Sequence, residues 1–284
     1  MILLKPLELA WRALNRLRRA LYRWGVLRPA RLPRPVISVG NLSAGGAGKT
    51  PAVIAIAGYL HRHGYRVSVL TRGYGRVNGE CGLVDSHDAE RFGDEPVLIK
   101  SLFPDVAVIV GSNRFANAIQ FLTTNDCDVF ILDDGFQHLQ LARDVNVLID
   151  APEGRWFREG PSAKGDADIV IGRALRVIDG DRVKGKRVFA FSGLADNEQF
   201  FATLRQCGAI LAGTRGFRDH HRYEATDLAS IREAAAAVSA ELIVTTQKDA
   251  VKFDERDIIP LVVEMAIDPA VLEAIAARVS GNVS

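Results

Sequence analysis

The 284-residue sequence predicts an α/β protein: a parallel-sheet domain, a second and smaller α/β domain, and an N-terminal amphipathic helix. Three observations carry that prediction. Short apolar runs such as "VISVG" (36–40), "VAVIVG" (106–111) and "ADIVIG" (167–172) alternate with helical stretches, as in a parallel sheet covered on both faces. The first of these strands runs into a glycine-rich loop and then a helix, and the loop ends Gly48-Lys49-Thr50, which makes the sheet domain P-loop NTPase in type. After a charged connector, "DGDRVKGKR" (179–187), a fresh strand, turn and helix begin, "RVFAFSGLADNEQFFATLRQ". The expected division is therefore a helix over 1–28, a P-loop domain over 29–180 and a smaller α/β domain over 187–284 that closes over the site.

The N-terminal arm has a period of its own. At 100° per residue, Leu3, Leu7, Ala10, Leu14, Leu17 and Leu21 share one helical face with Trp11 at its edge, while Lys5, Arg12, Arg16, Arg19 and Arg23 share the opposite one. Residues 1–35 hold nine Lys/Arg against the single acid Glu8, although the whole chain carries only +2. An apolar stripe with Trp and Leu opposite an arginine stripe is the pattern of a helix lying in a membrane interface. The alternative is a helix packing its leucines on the body of the protein. Nucleic acid is not expected as a partner, because no basic or aromatic cluster continues into the body. No apolar run reaches the roughly 18 residues that would span a bilayer. Three scattered cysteines, Cys81, Cys127 and Cys207, offer neither a disulfide framework nor a zinc pattern and suit a reducing compartment.

Pro29, Pro33 and Pro35 end the arm, and the strand at 36–40 follows. Ser43, Ala44, Gly45, Gly46, Ala47 and Gly48 then form the nucleotide loop, whose backbone N–H groups converge on phosphate at the start of helix 49–63. Lys49 reaches the phosphates and Thr50 supplies a hydroxyl for Mg²⁺. Pro51 is tolerated in a first helical turn, where N–H groups have no partner. Ser43 stands where the general loop pattern has glycine. A second strand lies within 65–76, and 77–96 is read as a loop. "CDVFILDDGFQH" (127–138) is a strand that delivers Asp133 and Asp134 to the carboxyl edge of the sheet, beside the loop, where either can serve Mg²⁺. Strands at 144–151 and 167–172 complete this domain. In the second, a helix capped by Thr226 or Asp227 and "ELIVTTQKDAVKF", "IIPLVVEMAI" and "DPAVLEAIAARV" follow.

A phosphate loop alone leaves open whether phosphate passes to water or to an alcohol. Transfer to an alcohol needs a carboxylate to take its proton, and Asp94, Glu95 and the Asp219-His220-His221 run are the candidates. Arg72 and Arg114, near strand ends, are candidate contacts for a substrate phosphate, with Gln137 and His138 beside them. His61, His63 and His87 read as ordinary surface histidines. The rival class is a P-loop GTPase or ATPase switch of the metal-chaperone or targeting type. "TTQKDAV" fails as its guanine-reading loop, because Lys248 and Asp249 are adjacent.

Seven stretches, in order, give the chain a resemblance: "VGNLSAGGAGKTP" (39–51), "RGYG" (72–75), "GDEP" (93–96), "DDGFQHLQLARDVNVLIDA" (133–151), "SGLADNEQFF" (192–201), "DHHRY" (219–223) and "TTQKDAVKF" (245–253). With them the sequence resembles the tetraacyldisaccharide 4′-kinase family of lipid A biosynthesis in Gram-negative bacteria. In that family a small hydroxyl residue at the position of Ser43 is usual and Pro51 belongs to the motif. The resemblance implies ATP- and Mg²⁺-dependent phosphorylation of the 4′-hydroxyl of an acylated glucosamine disaccharide 1-phosphate, giving lipid IVA. It implies a peripheral protein at the cytoplasmic face of the inner membrane, with Asp94 as general base, His220 assisting it, and Asp133 or Asp134 with Thr50 managing the metal. One segment departs. Where the family has "PAGPLRE", this chain has "REGPSAKGDAD" (158–168), so an acid that helps organise the metal is replaced by Asp166 or dispensed with.

Overall fold

The computed structural model describes residues 5–43, 48–76, 81–85, 88–150 and 159–281. Helix α1 (Lys5–Arg23) leads into strand β1 (Val36–Gly40) and helix α2 (Lys49–Arg62). There follow β2 (Val67–Thr71), β3 (Gly82–Leu83), α3 (Ala89–Phe92), α4 (Asp94–Leu102), β4 (Ala107–Val110), α5 (Arg114–Leu122), β5 (Val129–Asp133), β6 (Val145–Asp150) and β7 (Ile169–Gly172). These strands form one seven-stranded sheet, ordered β3-β4-β2-β5-β1-β6-β7, parallel except where β3 meets β4.

Alternation along the strands explains why the sheet is covered twice. Ile37, Val39, Val69 and Ile131 point to one face, where Val53, Ile56 and Leu60 of α2 and Val97 of α4 bury them. Val36, Leu70, Phe130 and Leu132 point to the other face, against Ala118 and Phe121 of α5. Fully burying side chains of this size contributes about 1.5–3 kcal/mol each, so the sheet is the rigid frame on which the loops at its carboxyl edge are hung.

The second sheet is built from β9 (Arg187–Ser192), β10 (Ile210–Gly216), β11 (Leu242–Thr246) and β12 (Ile258–Leu261), all parallel, in the order β10-β9-β11-β12. Helices α6 (Asn197–Gln206) and α7 (Ala225–Ala237) cover its opposite faces through Phe200, Phe201 and Leu204, and through Leu228 and Ile231. Short α8 (Gln247–Ala250) follows β11 directly. Two strands join the sheets as an antiparallel ribbon, β8 (Leu175–Val177) with β13 (Val263–Met265).

Three expectations differ from this arrangement. The stretch 77–96 is no plain loop: it contributes an edge strand and α3, and Asp94 and Glu95 open α4 behind Gly93 at φ +96°. Helix α7 is capped by Glu224, in a reciprocal pair with Asp227, and not by Thr226 or Asp227 itself. In the same domain "IIPLVVEMAI" forms two strands, parted where the Val262 N–H turns away to Asp179 Oδ1 at 2.8 Å. Finally, α9 (Pro269–Ser280) returns to the first sheet and buries Ile275 and Val279 in the core that contains α2, so the expected 187–284 unit loses its last helix. An amphipathic helix at a chain end fits any uncovered apolar surface, and its stripe does not say which sheet offers one.

Candidate active site

The loop after β1 ends at Gly48, the N-cap of α2, in a left-handed conformation (φ +81°) that a side chain would strain. Ala44, Gly45, Gly46 and Ala47 lie outside the described residues. On the near side of the loop, Ser43 Oγ accepts from Asn41 Nδ2 at 3.0 Å. Lys49 Nζ lies 3.4 Å from Asn41 Oδ1 and 3.5 Å from Asp134 Oδ1. Thr50 occupies the second position of α2, half-buried.

The two aspartates after "VFIL" are turned apart by the end of the strand. Asp133 is the last residue of β5 and is buried, while Asp134 adopts a left-handed φ of +49° and faces Lys49. Asp133 Oδ2 accepts from Thr71 Oγ1 at 3.0 Å; its Oδ1 is buried with no hydrogen-bond partner. Burial, then the charges of Asp134 and Glu95, push the Asp133 carboxyl up to about 6. A buried carboxylate oxygen without a donor, among like charges, suits a divalent cation, so this set fits Mg²⁺. Among the described residues no group of three His, Cys, Asp or Glu could hold a metal.

A second constellation joins the two sheets. His220 Nδ1 donates to Asp94 Oδ2 at 2.9 Å, and Lys252 Nζ lies 3.2 Å from the same oxygen. Lys248 Nζ reaches Glu95 Oε1 at 3.2 Å, Asp219 Oδ1 at 3.3 Å and His220 Nε2 at 3.3 Å. Since an ammonium only donates, Nε2 is the acceptor in the Lys248 contact, and Nδ1 is the nitrogen that faces Asp94. Burial would push the Asp94 carboxyl up, but the His220 hydrogen bond and the charges of Lys252 and Lys248 outweigh it and hold it below the usual range. Asp94 is thus an ionised, oriented acceptor at the start of a helix. His220 itself sits at φ +59° with Tyr74 tilted against its ring at 5.2 Å.

A cationic cluster adjoins Asp133. Arg114 is buried, donates to His138 Nδ1 at 3.0 Å and to the Asp133 carbonyl at 3.4 Å, and keeps Nε without a partner. His138 is therefore neutral with its proton on Nε2, and burial with Arg114, Arg18, Arg143 and Arg72 nearby pushes its pKa down to about 4. Arg72 is exposed. Gln137 Nε2 donates to the Asn41 carbonyl at 2.7 Å, which ties the aspartate loop to the nucleotide loop.

Comparison with known proteins identifies the family. The family model described as tetraacyldisaccharide-1-P 4′-kinase (LpxK) matches residues 1–173 and 162–280. The chain belongs to that family. A tetraacyldisaccharide 4′-kinase of Pelobacter propionicus is 39% identical over 88% of this chain and 82% of its own. One from Geobacter metallireducens is 37% identical over 88% of each chain. The crystal structure of LpxK from Aquifex aeolicus in complex with ATP superimposes with a TM-score of 0.79 at 29% identity, covering 97% of this chain and 98% of that one.

Within this member of the LpxK family, Asp166 is engaged by α1. Both its oxygens are taken by α1, from Arg19 Nη1 at 2.6 Å and Arg23 Nη2 at 3.1 Å. Lys164 pairs with Asp150 at 2.8 Å. Three residues that close the site were not singled out as candidates from sequence: Asn41, Thr71 and Lys252. Lys252 stood inside the quoted "TTQKDAVKF" stretch, and its signal was that motif's two lysines, four residues apart.

Proposed function

We propose that the chain transfers the γ-phosphate of ATP to the 4′-hydroxyl of a tetraacylated glucosamine disaccharide 1-phosphate, giving lipid IVA at the cytoplasmic face of the bacterial inner membrane. The observation that carries this reading is the Asp94–His220 pair, 2.9 Å apart and contributed by two different sheets. Transfer to an alcohol needs an oriented carboxylate to take its proton, and Asp94, held by His220 from the second domain, supplies one. Asp94 accepts the proton of the sugar hydroxyl while that oxygen bonds to the γ-phosphorus and the bond from phosphorus to the β–γ bridging oxygen breaks, leaving ADP. His220 fixes the Asp94 carboxylate, and Lys49 at the loop carries positive charge to the transferring phosphoryl oxygens. Thr50 with Asp133 or Asp134 would hold Mg²⁺, which neutralises phosphate charge when bound. Arg72 and Arg114 supply guanidinium donors for the substrate's own phosphate.

The acceptor's acyl chains belong in a bilayer, and α1 supports a peripheral position. Its buried arginine, Arg19, docks the helix on the body, while Trp11, Leu14 and Leu17 are each more than half exposed, at 55%, 55% and 54%. Docking by leucines would have hidden the last two. No helix among the described residues is long and apolar enough to cross a membrane. Transfer from γ-labelled ATP to the disaccharide lipid in micelles tests the reading. Wild type labels the lipid; Asp94→Asn binds ATP unchanged and loses about 10²–10⁴-fold in rate. Equal labelling by both proteins removes Asp94 from the mechanism, and absence of labelling by wild type removes the acceptor.

A further inference from the structure

Beside the Asp94–His220 pair lies a charge that neither the phosphate chemistry nor ordinary folding accounts for. Lys252 follows α8 in the second domain, and its side chain is only 6% exposed. Its ammonium sits 3.2 Å from Asp94 Oδ2 and 3.0 Å from Asp249 Oδ1, between side chains that are 9% and 0% exposed. Asp249 cannot swing away: its Oδ2 accepts from the Gly193 N–H at 2.9 Å and from Thr246 Oγ1 at 2.8 Å. The Tyr223 ring closes the remaining side, 5.5 Å from the ammonium. An acid–lysine–acid row taken out of water costs several kcal/mol per ion, and well-packed apolar side chains would join two domains as well or better. The row is a poor clamp, which points to a use for the charge.

We propose that Lys252 is a positioning residue for the transfer reaction: anchored from behind by Asp249, it reaches across from the second domain and, with His220, fixes Oδ2 of Asp94, leaving Oδ1 to meet the acceptor hydroxyl. This rests on the reading of Asp94 as the general base. The geometry has a consequence for assembly. Asp94 starts α4 on the first sheet, while His220 and Lys252 ride on the second, so the base is complete only where the two domains meet. The charged and titratable groups around Asp94 are Glu95 on its own helix, Asp219 and the His220 imidazole from the loop after β10, and Lys248, Asp249 and Lys252 from α8 and its turn. Of these cations Lys252 is the one in contact with the carboxylate.

The test compares wild type, Lys252→Met and Lys252→Arg by transfer of label from ATP to the disaccharide lipid across a pH series. Lys252→Met is expected to lower kcat by at least about tenfold, leave the KM for ATP within about twofold, and move the acid limb of the kcat profile upward by about one pH unit. Lys252→Arg keeps the charge and is expected to hold the acid limb in place. A merely structural lysine would change yield or melting temperature without moving that limb. Where Lys252→Met fails to fold, Lys252→Gln, which keeps a donor for Asp249, carries the same readout. Wild type that labels the lipid alongside a Lys252→Met protein of unchanged kcat and unchanged acid limb overturns this proposal alone. Wild type that labels no lipid overturns the reading of Asp94 and this proposal with it.

Discussion

Replacing Arg19 by Met removes the side chain that fastens α1 to the rest of the molecule. Its guanidinium bonds Glu159 through Nε, Asp166 through Nη1 at 2.6 Å and the Phe136 carbonyl through Nη2 at 3.0 Å, and it stacks on the Phe136 ring at 4.7 Å. Glu159 is buried, so the substitution strands a carboxylate, at a cost of about 3–5 kcal/mol. Asp166 keeps Arg23, but that pair is largely exposed on the arginine side and contributes at most about 1 kcal/mol. Because α1 touches the body with its polar side and turns leucines outward, the molecule can relieve the strain by releasing the helix. The expected result is release, with the core sheet intact. Amide exchange in residues 13–23 should accelerate by about a hundredfold or more, since every 1.4 kcal/mol is tenfold. Trypsin should then cut early near Arg23. The double variant Arg19→Met, Glu159→Leu should recover part of the protection, because it removes the stranded charge. If exchange in α1 and the unfolding midpoint both stay at wild-type values, the arginine is not the anchor and the argument fails.

Gly48→Ala places a side chain at φ +81° with its Cβ 2.7 Å from Met265 Cε; the methionine can move, but the backbone strain of about 1–2 kcal/mol remains, and ATP affinity by titration calorimetry should fall about tenfold. His138 has a folded pKa near 4 against an ordinary 6.5, so the unfolded chain takes up a proton that the folded one refuses; stability should fall as pH drops from 6.5 toward 4, and His138→Gln should flatten that slope in denaturant titrations. Leu14→Gln with Leu17→Gln removes two half-exposed leucines from the outer face of α1; co-flotation with anionic vesicles should weaken at least about tenfold while the melting temperature holds.

Local patterns were legible and long-range partners were not. The strand–loop–helix at β1 and α2, and the aspartates after β5, are readable because their chemistry lies within a few neighbouring residues. Asp94 was misread as a loop residue, although Gly93 before it and two acids with a proline after it are helix-start signals. What hid them was the continuous apolar run "VLI", which fits either element. Asp166 looked like a spare metal acid because nothing local reveals that α1, more than 140 residues earlier, claims it. Arg19 was hidden for the same reason: in the sequence it is one more arginine of the basic stripe.

That last point changes how the charge of the arm works. Among the described side chains, four of its basic residues are spent on intramolecular pairs: Arg19 on Glu159 and Asp166, Arg23 on Asp166, Arg31 on Asp144 and Arg34 on Asp126. The contrast between a basic arm and an acidic body is thus partly an internal neutralisation, and is weaker evidence for a polyanionic partner than the sequence suggested. The outward face of α1 and the turn after it remain, with Trp11, Leu14, Leu17, Trp24 and Val26 all exposed. A lipid-facing cation contributes about 1 kcal/mol near an anionic surface, and salt weakens it. A leucine or tryptophan entering the acyl region contributes more, and salt does not weaken it. On the proposed peripheral reading, membrane attachment through this helix is chiefly apolar, with the arginines split between holding the helix on the protein and choosing which side of it meets the lipid.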